Sequence, residues 1–128
     1  MDNIIFKGKV IAGSGDGRKI KIPTANIEID PDLFMGIPLG VYASIIKVEK
    51  KLYKSITHVG PRAVFSEEQT QVEVHIFDFE RNIYGMEVEI RLLKFIRETL
   101  KFESLDDMVE QIKLDIKKAQ EYLQPFVC

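Results

Sequence analysis

A single cysteine, Cys128, stands in a chain of 128 residues. It has no internal partner, which excludes a disulfide framework and suits a reducing cytosol. No apolar run approaches the ~20 residues that a membrane span requires. The first residues, Met1-Asp2-Asn3-Ile4-Ile5-Phe6-Lys7, lack the basic start and long apolar centre of a secretory leader. A cytoplasmic protein with no membrane partner is expected. Charge of one sign is missing too: 18 Lys+Arg against 20 Asp+Glu leave a net charge of −2 and a pI near 5.7. A general nucleic-acid binder presents a basic face instead, so no nucleic-acid partner is expected. Histidine is scarce, and His58, His75 and Cys128 show no metal-ligand spacing. Repeats, low-complexity tracts and linkers are absent, so residues 1–128 read as one domain, large enough to bury a core unaided.

What is present is alternation. Ile4, Phe6, Val10 and Ile11 mark a first strand over 4–12. Lys19 to Ile22 alternates polar and apolar, and Ile27 and Ile29 continue the pattern until Asp30-Pro31-Asp32 turns the chain. Residues 33–39, with Gly36 and Pro38, read as an ordered loop. Val41 to Val48 is rich in β-branched and aromatic residues, and 52–59 returns beside it. In 70–79, Val72, Val74 and Ile76 share one face while Glu73, His75 and Phe77 share the other. A last strand spans 83–95. Six strands joined by short turns, with no helix between them, imply an antiparallel sheet closing into a barrel over about 4–97. One helix follows over about 104–124. Ser104 and Asp107 form its start, Leu105, Met108, Val109, Ile112, Ile116, Ala119 and Leu123 form one apolar stripe, and Pro125 stops it. The expectation is a lid over one barrel end.

The chemistry concentrates near the N-terminus. Gly13, Gly15 and Gly17 let the backbone bring bare N–H groups to an anion, and Arg18 adds charge. Neither a P-loop nor a dinucleotide fingerprint is matched. Thr24 and Asn26 follow in Pro23-Thr24-Ala25-Asn26, two apart in an extended segment, so both side-chain oxygens face one way. Hard oxygens beside a phosphate loop suit Mg²⁺. A Mg–nucleotide site made from the loop and a strand edge is one reading; a plain hairpin turn is the other. Glu73 is either a general base or a residue on the wet side of its strand. His75 reads as structural or surface before catalytic. Arg97 either holds a phosphate or planar ring or pairs with a helix acid. Tyr84 beside Gly85 is turn packing or a wall for an aromatic ligand.

Taken in order, these pieces resemble the riboflavin kinase family over about 8–123. The residues that carry the likeness are Gly8-Lys9-Val10, the glycine loop, Pro23-Thr24-Ala25-Asn26, Pro38-Leu39-Gly40-Val41-Tyr42-Ala43 and Val59-Gly60 with Arg62. Val72 to Phe79, Tyr84-Gly85, Ile96-Arg97 with Phe102, Ser104-Leu105 and Gln111-Ile112 with Asp115 and Ala119 complete it. The resemblance implies a six-stranded antiparallel Greek-key barrel with one C-terminal helix. It implies transfer of the ATP γ-phosphoryl to the riboflavin 5′-hydroxyl, with ATP and riboflavin as substrates and Mg²⁺, or alternatively Mn²⁺ or Zn²⁺, as the metal.

By the same resemblance, Thr24 and Asn26 serve the metal and the nucleotide phosphates. Gly13, Gly15, Gly17 and Arg18 cover the phosphates, and Glu73 is the general base. Asp78 and Tyr84 lie by the nucleotide; Arg97 and Phe102 close on the flavin. In bacteria this module forms half of a bifunctional riboflavin kinase/FAD synthetase, so the chain is either free-standing or cut from such an enzyme, and a monomer is expected. The sequence departs from the family pattern at Lys21, Ala63, Val64 and Thr99. These departures support a rival reading, a non-catalytic flavin or nucleotide module with a partly decayed site. A third reading, an oligonucleotide-binding barrel, requires a basic groove with exposed aromatics.

Overall fold

The computed structural model describes residues 4–11, 23–60 and 71–126. Six strands appear in chain order: β1 (Ile4–Ile11), β2 (Ala25–Glu28), β3 (Gly40–Val48), β4 (Lys51–Gly60), β5 (Gln71–Ile76) and β6 (Glu87–Arg97). They are antiparallel throughout and close into a barrel in the order β1-β2-β5-β4-β3-β6. Within it, β3, β4 and β5 follow as hairpins and β2 returns beside β5, which is the Greek-key arrangement. The expected barrel is therefore observed. The expected strand edge is not, because β2 pairs with β1 on one side and β5 on the other.

Alternation decides which residues fill the interior. Phe6, Val10, Ile27, Ile46, Val48, Val59, Val72, Val74, Ile76, Val88 and Ile90 point inward and form one core. Polar groups inside must pair, and they do: Ser44 Oγ lies 2.7 Å from both Ser55 Oγ and Thr57 Oγ1, all three fully buried. Nothing in the alternation pattern announces this cluster.

The C-terminal helix α2 (Leu105–Leu123) corrects the expectation of a lid. It lies along the outer wall, where Ala119 and Leu123, with Ile116, pack on Val41, Ala43, Ile45 and Ile56. Strand β3 is the reason: eight of its nine residues are buried, so it is apolar on both faces and its outer face needs a cover. Leu105, placed in the stripe by spacing, is exposed, while Asp115 is buried within it. Ser104 caps the helix as expected, its Oγ accepting from the Asp107 N–H at 3.1 Å.

A second departure is the short helix α1 (Pro31–Met35), which lies where an ordered loop with no helix was expected. Asp30 accepts from the Asp32 N–H at 2.8 Å and Pro31 occupies the first helical position. The same Asp-Pro-Asp that spells a turn also spells a helix start. Strand β6 begins at Glu87 rather than Ile83, because Gly85 turns through φ 84° and its N–H, with the Met86 carbonyl, bonds to Val10 instead.

Candidate active site on the barrel wall

Strand register brings distant residues into one row across the outer face. Asn26 on β2 stands opposite Glu73 on β5, Glu73 opposite His58 on β4, His58 opposite Val41 on β3, and Val41 opposite Arg97 on β6. Facing residues in an antiparallel pair have Cα atoms about 5 Å apart. At the usual strand spacing the row runs roughly 19 Å from Asn26 to Arg97, and roughly 14 Å from Glu73 to Arg97. Glu73 thus lies on the outer wall, beside Asn26 rather than remote from it, and is half-buried.

Thr24, two residues before Asn26, lines a cleft of about 330 Å³ with Pro23, Ala25, Ile83 and Tyr84 among others, while Asn26 and Glu73 are not in its lining. This brings together two of the residues expected by the nucleotide. Asp78 is not in the lining; it is exposed, turns through φ 56° and precedes Phe79, which is. His75 supplies a support that its sequence context did not reveal: its Nδ1 lies 2.7 Å from the Pro23 carbonyl, tying the start of β2 to β5. The carbonyl can only accept, so Nδ1 carries the proton. Gly13, Gly15, Gly17 and Arg18, like Lys21, Ala63 and Val64, lie outside the described residues.

At the other end of the row Arg97 makes the pair with a helix acid that is one of its two readings. Its Nε donates to Asp115 Oδ1 and Oδ2 at 3.0 and 2.9 Å, and Nη2 donates to Oδ2 at 2.7 Å. Nη1 donates to the Glu98 carbonyl at 2.9 Å, and the guanidinium carbon sits 5.9 Å from the Phe102 ring centroid. Arg97 therefore pairs with a helix acid and borders the aromatic ring expected at the flavin end. Thr99, one of the departures, packs its methyl above Gly60, where a Cβ would come within 2.8 Å.

Between the two ends lies His58, which nothing in the sequence singles out. Burial first, then the positive charge of Arg97, pushes its pKa down to about 4, against a smaller opposing pull from Asp115. The ring is neutral at pH 7, and its buried Nε2 makes no hydrogen bond among the described residues. Another cavity of about 300 Å³, lined by Ile45, Leu93 and Phe126 among others, holds none of the expected site residues.

No group of three His, Cys, Asp or Glu side chains among the described residues could cage a metal. Asn26 stands beside Glu73 across the ladder, and a threonine hydroxyl, an asparagine carbonyl and a carboxylate are hard oxygens of the kind Mg²⁺ accepts. That ion accepts a few protein oxygens and takes its remaining ligands from water and substrate phosphates.

The family model for riboflavin kinase (flavokinase) matches residues 1–123. A bifunctional riboflavin kinase/FMN adenylyltransferase from Bacillus subtilis is 36% identical over 120 residues, covering 91% of this chain and 38% of the relative. An RNA-binding riboflavin kinase, RibR, from the same organism is 35% identical over 113 residues, covering 88% and 48%. Among solved structures, riboflavin kinase from Trypanosoma brucei superposes with a TM-score of 0.69 at 27% identity, covering 98% of this chain and 83% of that one. The chain spans less than half the length of these bacterial relatives, and in the bifunctional ones this region is the kinase module. The barrel, the order of its motifs and the family match agree: the chain belongs to the riboflavin kinase family.

Proposed function

We propose that this domain transfers the γ-phosphoryl of ATP to the 5′-hydroxyl of riboflavin, giving FMN and ADP. The observation that carries the reading is the pairing of Asn26 with Glu73. It sets a carboxylate beside the Asn26 side chain, in a row that continues to Arg97, which borders the Phe102 ring. Phosphoryl transfer asks a protein mainly for position and charge neutralisation; the row supplies position, and a metal held at its oxygen end would supply the neutralising charge.

In this reading Glu73 accepts the 5′-hydroxyl proton as the new O–P bond forms and the bond to the β-phosphate oxygen breaks, releasing ADP. Thr24 and Asn26 hold the metal-bearing phosphates. Gly13, Gly15, Gly17 and Arg18 cover them, Asp78 and Tyr84 border the nucleotide, and Arg97 and Phe102 face the flavin. A Mg²⁺ ion, when bound, would neutralise charge developing on the phosphate oxygens. The domain works on small molecules as a cytoplasmic monomer, alone or tethered to an FAD synthetase domain. The RNA-binding relative makes one part of this open to a direct check: salt-sensitive binding to single-stranded RNA would overturn the absence of a nucleic-acid partner.

The test incubates the protein with riboflavin, ATP and Mg²⁺ and separates the flavins. FMN should form, and Glu73→Gln should lower kcat by about 10²- to 10⁴-fold, the usual contribution of a general base. Flavin bound tightly by the wild type without any ATP-dependent FMN would instead establish the non-catalytic module.

A further inference from the structure

In the kinase reading, on which the present proposal rests, Arg97 stands at the flavin end of the row. Its guanidinium carries five N–H donors. Three of them are used, on both oxygens of Asp115 and on the Glu98 carbonyl, which leaves two for a ligand. The acceptor side is equally organised. Asp115 is only 2% exposed, and Gln111, one helical turn earlier, donates from Nε2 to its Oδ1 at 3.0 Å. An acid this deeply buried, inside the apolar stripe of a helix that otherwise packs on the wall, costs desolvation that its hydrogen bonds must offset. What it holds is one arginine, gripped by both carboxylate oxygens and therefore fixed in plane as well as in position.

We propose that Asp115 is a positioning residue for riboflavin recognition, acting through Arg97, with Gln111 orienting the carboxylate. The chain of contacts runs from α2 through Gln111, Asp115 and Arg97 to the Glu98 carbonyl and the Phe102 ring. It docks the helix and the segment 98–102 against the flavin end of the site as one unit. The nucleotide end, at Thr24, Asn26 and Tyr84, belongs to other elements and lies at the far end of the row. Loosening Asp115 therefore weakens riboflavin and leaves ATP alone.

Steady-state kinetics on Asp115→Asn, which keeps the shape and removes the charge, test this. The riboflavin KM should rise about tenfold, as loss of one charge-assisted hydrogen bond implies, with the ATP KM within about twofold of wild type. In the double variant with Arg97→Lys, the riboflavin KM should be no higher than in Arg97→Lys alone, because the acid acts only through the arginine. An unchanged riboflavin KM in folded Asp115→Asn, equal rises in both KM values, or additive effects in the double variant would each overturn the proposal. If Asp115→Asn does not fold, Gln111→Leu carries the test, with a smaller rise confined to riboflavin expected and no selective rise refuting it. A wild type that makes no FMN would instead bring down the kinase reading, and this proposal with it.

Discussion

His58 should make the stability of this domain fall in mild acid, by an amount that its surroundings set. An ordinary histidine has a pKa of 6.5, whereas burial and the neighbouring Arg97 hold this one at about 4. The unfolded chain therefore takes up a proton well before the native one, and stability falls as pH drops from 6.5 towards 4. Above 6.5 the contribution is complete; below about 4 nothing more is lost. With about 1.4 kcal/mol for each tenfold difference in proton affinity, the gap caps the loss at about 3.4 kcal/mol. Between about pH 7.5 and pH 5 the share is about 2 kcal/mol. Carboxylates titrate in the same range, so the comparison is with His58→Leu, which fills the position and cannot take a proton. Urea unfolding of both proteins at the two pH values isolates the histidine. Wild type should lose about 2 kcal/mol more than the variant. Equal losses would show that the ring either reaches water or gains a partner when protonated, and that burial does not hold it neutral.

Other residues give sharper local tests. His75→Ala removes the bond to the Pro23 carbonyl and should raise the KM for MgATP several-fold while sparing riboflavin; a selective effect on riboflavin would reverse the assignment of the two ends. Gly40→Ala would push a Cβ to 2.4 Å from Phe95 and 2.7 Å from the Arg97 carbonyl at φ +154°. We expect a loss of about 2 kcal/mol or more in thermal unfolding, and a neutral result would contradict the close approach of β3 to β6. Ser104→Ala should cost about 1 kcal/mol of stability with no change in either KM, since the cap serves the helix end alone.

The strands were readable because a barrel wall enforces a period of two, and Val72, Val74 and Ile76 against Glu73, His75 and Phe77 display it without interruption. The cap at Ser104 was readable because capping is local. Helix α1 was not, since Gly36 and Pro38 outweighed a start signal that doubles as a turn. The side on which α2 lies was also hidden: only the unbroken apolar run of β3 hinted that its outer face needed a cover. Register is the deeper obstacle. The row from Asn26 through Glu73, His58 and Val41 to Arg97 joins five strands, and sequence spacing says nothing about which residues face each other across a ladder. One clue to Arg97's partner was present, a lone aspartate within the helix's apolar stripe, which is an acid that needs a cation.

Barrel closure constrains how a substrate can come and go. Every strand has hydrogen-bonded neighbours on both sides, so the wall has no seam that could part for a ligand without tearing ladders on either flank. A ligand must therefore approach from the outer face of the wall or from an end of the barrel, not between strands. In the proposed reaction Glu73 would keep its register with Asn26 and His58 through each cycle of exchange.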